Sequence, residues 1–291
     1  MKLKRHNLEI SYDDTGSGQT ALLFIHGFPL DRTLWSAQTC ALADVARVIA
    51  PDLRGFGESP LPIGTVTMDT YADDLHDLLD ALRIPRVVVA GLSMGGYVAF
   101  AFYRKYASRV CALILADTRA MPDSPEAEKG RDDSAALARN EGTAAVVERL
   151  FPKMLTPQTI AEDADVANAA RTLMTRQPAE SIIAALIALR DRPDSTPTLA
   201  QVAVPTLIIV GAEDTLTPPK DSEQMRDGIC GAQLAVIPNA AHLSNLEQPE
   251  AFNQAVRKFL KEGESFMDFK TAIGRRSVLK AGVVSLAGLP K

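Results

Sequence analysis

Short, densely apolar runs alternate along the chain with longer stretches in which apolar residues recur at helical spacing. Four runs near the start, Leu22 to His26, Arg47 to Asp52, Arg86 to Gly91 and Ala112 to Asp117, have the near-continuous hydrophobicity of strands buried on both faces. Between them, Tyr71, Leu75, Leu78, Leu79 and Leu82 form one apolar stripe, while Asp73, Asp74, Asp77 and Asp80 fill the opposite face, which predicts an amphipathic helix. The rhythm resumes late, with strands over Thr206 to Val210 and Gln233 to Ile237 and helices over Pro219 to Cys230 and Pro249 to Leu260. Alternation of this kind predicts an α/β fold built on a mostly parallel central sheet flanked by helices.

From about Ala120 to Leu199 the strand signal disappears. Helical pieces there are punctuated by Pro122, Pro125, Pro152, Pro157, Pro178, Pro193 and Pro197. The expected organisation is therefore a sheet domain formed by residues 1–119 and 200–262, an inserted helical cap at 120–199, and a non-catalytic tail at 263–291. The tail contains Gly274-Arg275-Arg276 followed by the apolar run Ala281 to Leu289. It resembles a twin-arginine export signal beginning at Met267, but such signals are read at an N-terminus, so no export is expected from it.

Composition narrows the partners. A net charge of -5 over 291 residues gives no basic surface suited to a phosphate backbone or to anionic lipid, so neither nucleic acid nor membrane is expected as a partner. Cys40, Cys111 and Cys230 are widely spaced, lack a C-x-x-C pattern and cannot all pair, which predicts small core thiols in a reducing compartment. The polar segment after Met1 lacks the apolar run of a secretory signal, and no uninterrupted apolar stretch is long enough to span a bilayer. A soluble, cytoplasmic protein is expected.

The strongest chemical signal is Gly91-Leu92-Ser93-Met94-Gly95, lying between a predicted strand and a predicted helix. In that context G-x-S-x-G describes a turn so tight that side chains at the flanking glycines would collide, with the serine hydroxyl exposed above a helix N-terminus. Glycine-rich strand-to-helix turns also bind phosphates, but neither G-x-G-x-x-G nor G-K-[ST] is present here. Ser93 is thus the candidate nucleophile.

A serine hydroxyl needs a base to take its proton. Of the four histidines, His6 lies in the N-terminal stretch, His76 sits among carboxylates on the polar helix face, and His26 closes the first strong strand. His242 falls in the loop after the last strand, where it can reach across the sheet edge, and is the candidate base. Asp214 follows a strand and is the candidate acid, with Glu213 and the strand-end Asp117 as rivals. Backbone N–H groups of Met94 and Phe28 are candidate oxyanion donors, and His26 is expected to brace the Phe28 loop by hydrogen bonds. Trp35 and Phe56 are candidates for the pocket mouth.

Five segments together, His26-Gly-Phe-Pro, Asp52-Leu-Arg-Gly-Phe-Gly-Glu-Ser, Gly91-Leu-Ser-Met-Gly-Gly, Gly211-Ala-Glu-Asp-Thr-Leu-Thr-Pro-Pro and Ala240-Ala-His-Leu-Ser-Asn-Leu-Glu-Gln-Pro, resemble the α/β-hydrolase superfamily over roughly residues 8 to 262. The order Ser93, Asp214, His242 is also the order of that fold. Within it, the chain is most similar to the branch of 3-oxoadipate enol-lactonases, acyl-homoserine lactonases, small carboxylesterases and cofactor-free perhydrolase-like enzymes. The resemblance implies a cofactor- and metal-free serine hydrolase acting on a small-molecule ester or lactone. C–C bond hydrolysis or perhydrolysis with the same triad, and a hydrolase-fold ligand receptor, are the alternatives it carries. Serine at position 93 argues against haloalkane dehalogenase and epoxide hydrolase, whose elbows carry aspartate.

Overall fold

The computed structural model describes residues 1–5 and 8–262. The tail at 263–291, with its twin-arginine-like segment, and His6 lie outside the described residues.

Eight strands form the sheet: β1 (Lys2–Arg5), β2 (Leu8–Thr15), β3 (Ala21–Ile25), β4 (Arg47–Pro51), β5 (Val87–Leu92), β6 (Val110–Ala116), β7 (Thr206–Gly211) and β8 (Gln233–Ile237). Their spatial order is β1-β2-β4-β3-β5-β6-β7-β8. From β4 to β8 every neighbouring pair is parallel, and each predicted apolar run falls on one of these strands with ends shifted by up to two residues. The antiparallel pair β1–β2 was not predicted. In β2, buried Ile10 and Tyr12 alternate with polar neighbours, because a strand near the sheet edge need not be apolar on both faces, so it lacks the run that marks β3 or β5.

Alternation along the central strands feeds two cores. Leu23, Ile25, Val87 and Val89 face one side, whereas Leu22, Phe24, Val88 and Ala90 face the other. The first side is covered by α2 (Met68–Ala81), α3 (Met94–Tyr106) and α10 (Pro219–Gly228), and the second by α1 (Ser36–Leu42) and the helix at 249–262. The predicted stripe on α2 is the buried one: Tyr71, Leu75, Leu78 and Leu79 are at most 1% exposed.

Between β6 and β7 the chain is helical, as α4 (Pro125–Glu141), α5 (Thr143–Leu150), α6 (Pro157–Glu162), α7 (Ala164–Thr175), α8 (Ala179–Arg190) and α9 (Thr196–Leu199). Several of the prolines stand in the first turn of these helices, where a missing N–H costs no intrahelical bond. α11 (Ser244–Glu247) follows β8. Among the described residues no helix is long and apolar enough to cross a membrane. The cysteines carry free thiols, but the expectation of core positions fails for two of them: Cys40 on α1 and Cys230 just after α10 are exposed.

Candidate active site

The carboxyl ends of the parallel strands share one edge, so the loops leaving β3, β4, β5, β6, β7 and β8 converge there. Phe28, Asp52, Ser93, Asp117, Asp214 and His242 all stand on those loops. Local chemistry fixes each one.

Ser93 joins β5 to α3 with φ 55° and ψ -115°, a left-handed conformation that costs a non-glycine residue roughly 1–3 kcal/mol. Surrounding backbone holds it. Ser93 N–H donates to Ala116 C=O at 2.9 Å, and its own carbonyl accepts from Gly96 N–H at 2.9 Å and from the Thr118 hydroxyl at 2.8 Å. The turn leaves no room beside it: a Cβ on Gly91 would lie 2.1 Å from the Gly95 carbonyl oxygen, and one on Gly95 2.2 Å from that of Ile25. Both glycines of the motif are therefore sterically required.

His242 Nε2 lies 2.8 Å from Ser93 Oγ, and its Nδ1 lies 2.8 Å from Asp214 Oδ2. With the ring proton on Nδ1 and donated to Asp214, Nε2 accepts from the serine hydroxyl. The Asp214 carboxylate also accepts from Leu216 N–H at 2.8 Å, Thr217 N–H at 3.0 Å and the Thr217 hydroxyl at 2.7 Å. Burial opposes its ionisation, but His242 and the Thr217 bonds outweigh that and hold its carboxyl below the ordinary range. For His242 burial disfavours the cation, yet the Asp214 carboxylate overcomes this and raises the imidazole above its usual value.

The rival acids have other partners. Glu213 is exposed. Asp117 is fully buried, but it accepts from Gly211 N–H at 2.8 Å and from the Ser244 hydroxyl at 2.5 Å. Burial and the nearby charge of Asp214 push its carboxyl up to about 8. It fastens β7 to the loop that carries His242. Glu247 holds the same loop, accepting from Ala241 N–H at 2.6 Å and from Thr156 N–H of the helical segment at 2.7 Å. The Asn245 side chain donates to Leu34 C=O and to Gln38, each at 3.1 Å. The polar residues that follow His242 in the motif thus build its support.

Met94 is the first residue of α3, where an amide N–H has no intrahelical acceptor. Phe28 stands on the facing loop, and both residues line the cavity above Ser93. His26 braces that loop: its Nδ1–H donates to Gly27 C=O at 2.9 Å, and Nε2 accepts from Leu53 N–H at 3.0 Å. Burial lowers its basicity and keeps the ring neutral. Asp52 accepts from Arg32 N–H and Glu58 N–H, each at 2.8 Å, and pairs with the Arg32 guanidinium, so its glycine-containing loop is a clamp.

Trp35 and Phe56 require correction. Both are fully buried and neither lines the cavity. Trp35 stacks on Phe24 with centroids 4.4 Å apart, and Phe56 packs edge-on against His26 at 5.4 Å, because large aromatic rings gain most from complete burial. The cavity, of about 60 Å³, is lined instead by Phe28, Ser93, Met94, Tyr97, Thr217 and His242 from the sheet domain's loops and helices, together with Arg119, Leu216 and residues of the helical segment. Tyr97 sits one helical turn beyond Ser93, a spacing readable in advance; Arg119 and Arg131 carry no motif signal.

The model for the alpha/beta hydrolase fold matches residues 20–249. A 3-oxoadipate enol-lactonase of Acinetobacter baylyi is 32% identical over 241 residues, covering 83% of this chain and 88% of that protein. A thermophilic esterase of Thermogutta terrifontis, solved with malate bound, superposes with a TM-score of 0.86 at 45% identity, over 88% of this chain and 94% of that one. The enol-lactonase of Burkholderia xenovorans LB400 superposes with a TM-score of 0.84 at 28% identity, over 90% and 100%. Fold, strand order and the matched family model agree, and the chain belongs to the alpha/beta hydrolase fold family.

Proposed function

We propose that this protein hydrolyses a small carboxylic ester or lactone through an acyl-enzyme on Ser93. The observation that carries this reading is the hydrogen-bonded chain Ser93–His242–Asp214 opening onto one cavity. Homology to an enol-lactonase and to an esterase supports the bond type.

His242 Nε2 takes the hydroxyl proton as Ser93 Oγ attacks the carbonyl carbon, while Asp214 stabilises the imidazolium that forms. The tetrahedral oxyanion accepts from the N–H groups of Phe28 and Met94, each contributing about 3 kcal/mol. Collapse breaks the bond to the alcohol oxygen, which takes the proton from His242. In a lactone that oxygen stays tethered to the acyl group. Water then gives a proton to His242 and attacks the acyl carbon, releasing the acid and restoring Ser93.

Residues 120–199 act as a cap over this site, between core segments 1–119 and 200–262. Supporting this, Arg131, Leu150, Met154 and Leu189 of the helical segment line the cavity. Gln177 ties the cap to both neighbouring loops, accepting from Gly57 N–H and donating to Asp31, each at 2.9 Å. A cytoplasmic location belongs to the same reading, on the ground of three unpaired thiols.

Replacing the nucleophile tests the assignment. Ser93→Ala should lower kcat on short p-nitrophenyl esters by several orders of magnitude while leaving the thermal midpoint near that of the wild type. Turnover within a few-fold of wild type would sink it.

A further inference from the structure

One wall of the cavity above Ser93 is held by a side chain that does not line it. Tyr97, one helical turn beyond Ser93 on α3, lines the cavity and is buried. The guanidinium of Arg192 lies over its ring, 4.2 Å from the centroid. Arg192 is not among the residues that line the cavity. Arg119, which is among them, meets the same tyrosine side chain.

Arg192 is fixed from both ends of the helical segment. It follows α8, and its terminal amines donate to Leu189 C=O of that helix at 2.8 Å and to Met121 C=O, ahead of α4, at 3.1 Å. It is also ion-paired with Asp123 at 2.8 Å, and the two side chains are only 2% and 1% exposed. Asp123 accepts in addition from Arg131 Nε at 3.0 Å. So anchored, the guanidinium has little freedom to leave the ring. A buried ion pair yields little net stability over apolar packing of the same volume. What the rigid, planar guanidinium does supply is one fixed geometry.

At about 60 Å³ the cavity is small beside the roughly 300–1,000 Å³ of ordinary ligand pockets, so the position of one ring decides what fits. A bulky substrate has to push that ring aside, and doing so breaks its contact with the cation. Such a contact corresponds to a factor of about three to thirty. We infer that Arg192 is a positioning residue that holds Tyr97 as a fixed wall, and that the pair limits the size of the ester or lactone admitted to Ser93. The inference rests on the acyl-enzyme reading above and adds a size limit to it.

The test compares kcat/KM for a large and a small ester in two series. p-Nitrophenyl hexanoate against p-nitrophenyl acetate varies the acyl half; hexyl acetate against ethyl acetate, followed by proton release, varies the alcohol half. In at least one series the large-to-small ratio should rise about ten-fold or more in Tyr97→Ala. In Arg192→Met it should rise about three- to thirty-fold, chiefly through KM of the large ester, with Arg192→Lys nearer the wild type. In the Tyr97→Ala background Arg192→Met should add less than about two-fold, because its effect passes through the ring. A general loss of structure lowers both esters alike and leaves the ratio unmoved. Should Arg192→Met not fold, Arg192→Gln combined with Asp123→Asn removes both buried charges together and should raise the ratio in the same way. An unchanged ratio in Tyr97→Ala or in the folded Arg192 variant would overturn this inference and leave the acyl-enzyme reading standing. An Arg192→Met effect that persists undiminished without the ring would overturn it equally. Failure of the wild type to hydrolyse any of the four esters would bring down both.

Discussion

Two buried aspartates stand at this strand edge, and their partners separate their roles. Asp214 meets the imidazole, and four hydrogen bonds hold it ionised; Asp117 meets a backbone amide and a serine hydroxyl, and burial holds its carboxyl above the ordinary range. An amide at position 117 keeps an acceptor for Gly211 N–H, whereas an amide at position 214 cannot stabilise an imidazolium. Asp214→Asn should therefore cost roughly 10³–10⁴-fold in kcat, and Asp117→Asn less than about ten-fold. Equal losses would remove the distinction. The same electrostatics set the pH dependence. Only the neutral His242 can accept a proton, and Asp214 raises its basicity, so kcat/KM should fall with acidification through a value above the ordinary 6.5 of histidine. That limb should move to lower pH in Asp214→Asn.

At the scale of elements, the placement of Ser93 depends on how closely α3 approaches the start of the β3 loop. Gly95 permits the contact, since any Cβ there would sit 2.2 Å from the Ile25 carbonyl oxygen and 2.9 Å from that of His26. Backbone atoms cannot swing aside as a flexible side chain would. Gly95→Ala should destabilise the fold by about 1–3 kcal/mol in urea denaturation and displace both Ser93 and the Met94 amide, lowering kcat at least about a hundred-fold. A variant as stable and active as the parent would mean that α3 is not packed so tightly. Support for His242 has the same character: Glu247, Asn245 and Asp117 fix its loop from three directions, so the Ser93–His242–Asp214 geometry is set by elements packed together.

Taken as a whole molecule, the parallel sheet was legible because its strands are buried on both faces and so read as apolar runs. The turn at Ser93 and the loop that carries His242 were legible because tight turns and strand-end loops leave marks in sequence. The β1–β2 hairpin was not, since its alternating residues resemble any half-buried segment. Trp35 and Phe56 misled because ring size alone does not distinguish a pocket wall from a core, and here each ring packs against others. Arg119 and Arg131 lie in the same cavity though twelve residues and a helix start separate them in the chain, and nothing in their immediate neighbours announces it. Which side chains of the helical segment reach the cavity depends on how its helices dock, which is a tertiary property.

In the proposed mechanism Ser93 carries the acyl group. It is tested most directly by treating the folded protein with a fluorophosphonate ester, then locating the adduct by mass spectrometry of proteolytic peptides while residual esterase activity is followed. One adduct per chain is expected, on Ser93, with activity lost in proportion to labelling. An adduct on another residue, or full labelling of Ser93 with activity intact, would contradict it.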